Sequence, residues 1–182
     1  MLLLHTSFSA EKGSRSKSPA PSLVATINGH TIRVQFVFGR FDPKKRVVTK
    51  RIEKPDVGQT YEQILVNGKP VLGLDNDDPT RGTGDKDEPR PFKTIEKILL
   101  HWDGKRVAVP SSLYDHIVMP GTDTSLRDGE QPDVMFVPDP AGEALVVTMR
   151  VGDGGGTNRI IWLLRKDGKH RILKDEFFEL SL

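Results

Sequence analysis

Residues 143–173, EALVVTMRVGDGGGTNRIIWLLRKDGKHRIL, decide the fold. Ile160, Trp162 and Leu164 alternate with Ile161, Leu163 and Arg165, a period of two that puts three large apolar groups on one face of a strand. Leu145, Val147, Met149 and Val151 stand in the same relation to Val146, Thr148 and Arg150. The glycine-rich run at 152–156 and the pair Asp167-Gly168 punctuate these segments, so the stretch reads as a three-strand antiparallel meander with Trp162 in its core face.

The same punctuation recurs along the chain. Asn or Asp directly precedes Gly at Asn28-Gly29, Asn67-Gly68, Asp103-Gly104, Asp128-Gly129, Asp153-Gly154 and Asp167-Gly168. A two-residue hairpin turn needs positive φ at both central positions, which these pairs adopt most readily. Strands are expected at 23–27 and 30–38 around Asn28-Gly29, at 46–52, at 64–66 with 71–74, at 95–102 with 106–109, and at 133–137. Two segments carry a competing signal. Val57, Tyr61, Ile64 and Leu65 match helical spacing, as do Phe92, Ile95, Ile98, Leu99 and Trp102. For the second, the hairpin pair at 103–104 favours a strand. Pro110-Ser111-Ser112 suggests one helical turn near 111–116, with Ser111 or Ser112 as its N-cap. The expected fold class is all-β: an antiparallel β-sandwich or a partly closed barrel.

At 182 residues the chain is long enough to bury a core without disulfides, and it has no cysteine. That removes thiolate metal sites and cysteine nucleophiles. The expected organisation is a tail at 1–22 and a single domain at 23–182. Lys and Arg number 27 against 25 Asp and Glu; Lys12, Arg15 and Lys17 against Glu11 account for that excess, so residues 21–182 carry no net charge. Nucleic-acid binding needs a basic footprint, and this balance argues against a nucleic-acid partner. Lys44, Lys45, Arg46, Lys50, Arg51 and Lys54 fall close together and read as a solvated strand face.

The first ten residues, MLLLHTSFSA, resemble the end of a secretory signal: an apolar stretch at Leu2 to Leu4, then Ser7-Phe8-Ser9-Ala10 at a small-residue cleavage site. The basic start would lie upstream of an assigned Met1. The reading is a secreted or periplasmic protein, the alternative a disordered cytosolic tail. No stretch approaches the roughly 18 apolar residues of a spanning helix.

Candidate chemistry is thin. Asp75, Asp77, Asp78, Asp85 and Asp87 supply oxygen ligands of the kind calcium prefers, yet Pro79 and Pro89 occupy the fifth positions of both runs and the sixth-position glycine is missing. No cofactor is the primary expectation, with calcium as the metal this loop would take. His101, Trp102 and Trp162 are the candidate binding residues, for a protein or glycan partner, and core packing is the competing role for the tryptophans. Ser111, Ser112, Asp115 and His116 are residue types of a hydrolase triad, but one helical turn cannot present them in the needed geometry. The expected function is therefore an exported β-sandwich binding module without catalysis. Two alternatives are a hydrolase built from His30, His101, His116 or His170 with a carboxylate, and a calcium-stabilised extracellular module.

Overall fold

The computed structural model describes residues 20–54, 58, 60–74, 78–80, 82, 91–121, 132–152 and 158–177, with side chains through Leu173. Eleven strands follow one another in these residues: β1 (Ser22–Ile27), β2 (His30–Arg40), β3 (Val48–Glu53), β4 (Tyr61–Val66), β5 (Lys69–Pro70), β6 (Lys93–Trp102), β7 (Lys105–Val107), β8 (Val134–Pro138), β9 (Ala144–Val151), β10 (Asn158–Arg165) and β11 (Arg171–Phe177). They form three antiparallel sheets, ordered β1-β2-β6-β7, β11-β10-β9-β8 and β3-β4-β5, and none closes into a barrel. β1 already includes Ser22, and the carbonyl of Pro21 accepts from the Phe36 amide at 3.1 Å.

The two four-stranded sheets pack face to face. Ile32, Val34, Phe36, Ile98, Leu100 and Trp102 from one meet Leu145, Val147, Met149, Ile160, Trp162 and Leu164 from the other in one continuous core. Alternation along each strand puts these residues on one face, so burial follows directly from period two. The Asn28-Gly29, Asn67-Gly68 and Asp103-Gly104 turns have positive φ at both residues, the geometry that the right-handed twist of paired strands favours. Asp128-Gly129 and Asp153-Gly154 lie outside the described residues.

The helical stripe at 92–102 has a structural cause. A β-bulge between Val37 and Phe38 on the β2–β6 ladder sets Lys97 opposite Val37 and Ile95 opposite Phe38, leaving Glu96 as the extra residue. Ile95 and Ile98 thereby both face the core although they are three apart. Tyr61, Ile64 and Leu65 belong to strand β4, so the competing short helix is absent there; Val57 lies outside the described residues. At Ser111–Leu113 a single 3-10 turn forms with Pro110 as N-cap and no side-chain cap, which corrects the capping role expected for Ser111 or Ser112.

The third sheet is joined to the sandwich by residues 117–121. Ile117 bridges Leu72, Val118 bridges Thr94 at the start of β6, and Pro120 bridges Val151 at the end of β9. Phe41, Val66, Phe92 and Val118 form a second, smaller core beneath this junction. Arg46 ties it laterally, with its guanidinium 4.9 Å from the Phe41 ring and Nε donating to the Asp115 carbonyl at 3.1 Å. Of the basic cluster at 44–54, Arg46 thus points inward, while Lys50 pairs with Glu62 at 2.6 Å and Arg51 with Glu53.

Candidate functional site

The structure places the sequence-derived candidates apart. Trp162 is fully buried, its ring 5.8 Å from that of Phe36 and its Nε1 donating to the Leu113 carbonyl at 2.9 Å. Trp102 is 2 % exposed and donates to the Gly142 carbonyl at 2.9 Å, tying the first sheet to the β8–β9 turn. Neither indole has a face open to a ligand. His101 sits on the opposite, outer side of β6, in register with Arg33 and Arg106. Asp75, Asp77, Asp85 and Asp87 lie outside the described residues. The Asp78 carboxylate accepts from the Thr80 amide at 2.9 Å and hydroxyl at 2.6 Å, the pattern of an Asx turn. Among the described residues no group of three or more His, Asp or Glu is arranged to hold a metal ion.

The histidines have separate surroundings. His116 is buried beside Asp115, with 3.6 Å between Nδ1 and the carboxylate, and His170 lies between the Arg165 amide and the Ala108 carbonyl. His30 sits where four hairpin connections of the sandwich meet. Its Nδ1 is 2.8 Å from Asp103, and its Nε2 is 3.4 Å from Lys166 and 3.7 Å from Glu143. The Asp103 carboxyl is held below its ordinary pKa, first by the Thr31 amide and then by His30. With its ring between two carboxylates and an ammonium, His30 makes an electrostatic clasp across the turns.

A different place combines concavity, charge and backbone strain. A cleft of about 360 Å³ opens between the ends of the two four-stranded sheets, lined by Pro91, Phe92, Lys93, Met119, Pro120, Gly121, Asp133, Arg150 and Gly152. Each wall follows from local structure. The Phe92 carbonyl accepts from the Phe41 amide at 2.7 Å, which fixes the start of β6 and brings the Lys93 ammonium to 4.4 Å from the Phe38 ring centroid. Met119 donates its amide to the Lys93 carbonyl at 2.8 Å and accepts from the Gly152 amide at 3.0 Å. Gripped from both sheets, Met119 has φ of 51°, left-handed backbone that a non-glycine residue ahead of a proline rarely adopts. Gly121 lies so close to β8 that a Cβ there would sit 2.6 Å from the Asp133 Cβ.

Charge completes the cleft. Arg150 Nε meets Asp133 Oδ1 at 2.9 Å, and the Arg150 amide donates to the Asp133 carbonyl at 2.7 Å. Partial burial pushes the Lys93 ammonium below its ordinary pKa, and the nearby Asp133 charge acts against that shift. Two cations and one carboxylate leave one positive charge among the lining residues, beside Phe92, Met119 and Pro120.

No family model matches this chain, nor does any curated protein or solved structure compared with it.

Lys93, Met119, Asp133 and Arg150 were not singled out by sequence reasoning. The pair Pro120-Gly121 marks a turn at that point, but nothing in the sequence tells that Met119 takes positive φ or that residues from β6, β8 and β9 converge there.

Proposed function

We propose that this chain is an exported binding module whose cleft at the sheet junction takes a small organic monoanion, a carboxylate carrying a short apolar body. The observation that supports this most is the convergence of Lys93, Asp133 and Arg150 beside Phe92, Met119 and Pro120. A guanidinium already oriented by Asp133 presents its remaining N–H groups to a carboxylate at little entropic cost. The ammonium of Lys93, partly desolvated, is stabilised by a further negative charge beside it. The volume lies at the lower end of small-molecule pockets, and polar groups converging in a concavity beside apolar side chains are the usual form of such sites. Left-handed backbone at Met119 agrees with this, since strain of that kind collects at ligand clamps.

Titration calorimetry with phenylacetate as probe tests the reading. Binding is expected for the acid, with Lys93→Gln and Arg150→Gln each weakening it about tenfold or more. Equal binding of the neutral methyl ester, or unchanged affinity in both variants, would contradict it. Export rests on Leu2 to Leu4 and the Ser7-Phe8-Ser9-Ala10 junction. Fractionation of cells expressing the chain from its native locus checks it, and a purely cytosolic pool would count against it.

A further inference from the structure

On the outer face of the sheet β1-β2-β6-β7, Val24 pairs with Arg33, Arg33 with His101 and His101 with Arg106, a single row across all four strands. The neighbouring rows hold Gln35 with Leu99 and Val37 with Lys97. Val24 is 45 % exposed, and Arg33, Gln35, Lys97 and Arg106 are exposed as well. The row thus carries two guanidiniums, Arg33 and Arg106, on either side of His101.

On other surfaces Lys45 pairs with Asp42, Lys50 with Glu62, Arg150 with Asp133, Arg165 with Asp167 and Lys166 with Glu143, while Arg40, Lys69 and Lys105 have no ion pair among the described residues. Among the described residues, Arg33, Lys97 and Arg106 have no such acid. Glu96 and Asp103 stand at the two ends of this face, Glu96 folded over Gly39 and Asp103 engaged by His30 and Thr31. The centre of the face is therefore cationic, with apolar groups between the cations.

We infer that this outer face docks a protein partner presenting carboxylates interleaved with apolar side chains. Complementary charge identifies the occupant, and the apolar residues separate it from a polyanion. Arg33 and Arg106 lie two inter-strand steps apart, about 10 Å, the span of roughly three residues of an extended chain. Arginine with aliphatic neighbours is a common composition for protein contact surfaces, whereas polyanion binding needs a denser basic footprint than this chain of balanced charge supplies. The face is independent of the cleft and of the reading given to it.

The test is an NMR amide-shift titration of the full chain with a soluble synthetic peptide alternating Glu with Leu and Ser, alongside a heparin fragment and a Lys-for-Glu control peptide. Shifts are expected on β1, β2, β6 and β7 with the acidic peptide, weakening as salt rises and absent with the control. Arg33→Gln with Arg106→Gln should weaken binding about tenfold or more, with an unchanged melting temperature confirming the fold. Tighter binding of heparin than of the acidic peptide, shifts confined to another surface, or no shifts up to about 1 mM peptide would overturn the inference.

Discussion

The Met119 amide donates to the Lys93 carbonyl at 2.8 Å, so a residue with left-handed backbone is fastened to the strand end that carries the cleft's ammonium. The same residue accepts from Gly152 after β9, and the cleft therefore takes its shape from a link between both large sheets. Strain at Met119 persists because hydrogen bonds on either side determine it.

Substitution at this position should separate backbone strain from packing. Met119→Gly removes the left-handed penalty while losing a partly buried side chain, and is expected to cost less than about 1 kcal/mol. Met119→Val puts a β-branched residue at the same φ and is expected to cost about 2 kcal/mol or more. Urea unfolding of both variants checks the order.

Trp162 anchors the sandwich core. Trp162→Ala should destabilise the protein by about 3 to 5 kcal/mol, the usual range for a large buried aromatic. Trp162→Phe keeps most of the contact with Phe36 but leaves the Leu113 carbonyl without its donor, so a loss of about 1 to 3 kcal/mol is expected. A loss below about 1 kcal/mol for the alanine variant would contradict its place in the core.

The alternating patterns around Trp162 made the strands legible from sequence, and Asn28-Gly29, Asn67-Gly68 and Asp103-Gly104 marked three hairpins, because both signals are local; the return strand expected at 71–74 is instead the two-residue β5 at Lys69–Pro70. The helical stripe at Phe92, Ile95 and Ile98 misleads because a bulge depends on what pairs with β6, and only Val37 and Phe38 on another strand reveal it. The cleft is further still from the sequence. Lys93, Met119, Asp133 and Arg150 come from segments that meet through the bridges of Val118 and Pro120, and no spacing along the chain encodes that meeting.

Acid should loosen the turn clasp. The Thr31 amide and His30 hold the folded Asp103 carboxyl below its unfolded pKa of about 3.9, so its contribution is complete above that pH and is lost as pH falls through the folded value. Asp103→Asn should accordingly lower the melting temperature at neutral pH, with the gap to the parent protein closing as the pH falls below the ordinary carboxylate range of about 4. Asp167 is depressed in the same direction, chiefly by the Lys169 amide, and Asp167→Asn should behave likewise. Melting curves across that range decide; a gap that stays constant with pH would assign Asp103 a purely neutral role.

Calcium should leave the melting temperature unchanged. A ligand that binds only the native state must raise it by mass action, and Pro79 and Pro89 break the calcium-loop pattern of the acidic stretch. A calcium-dependent rise abolished by Asp77→Ala with Asp87→Ala would move the functional site to that loop.

The binding cleft itself is tested most directly by locating a bound carboxylate. Amide shifts recorded while phenylacetate is titrated into the protein should concentrate at Phe92, Lys93, Met119, Gly121, Asp133, Arg150 and Gly152, and in Arg150→Gln should need about tenfold more ligand to reach the same size. Shifts centred on another surface, or a response undiminished in that variant, would contradict the account.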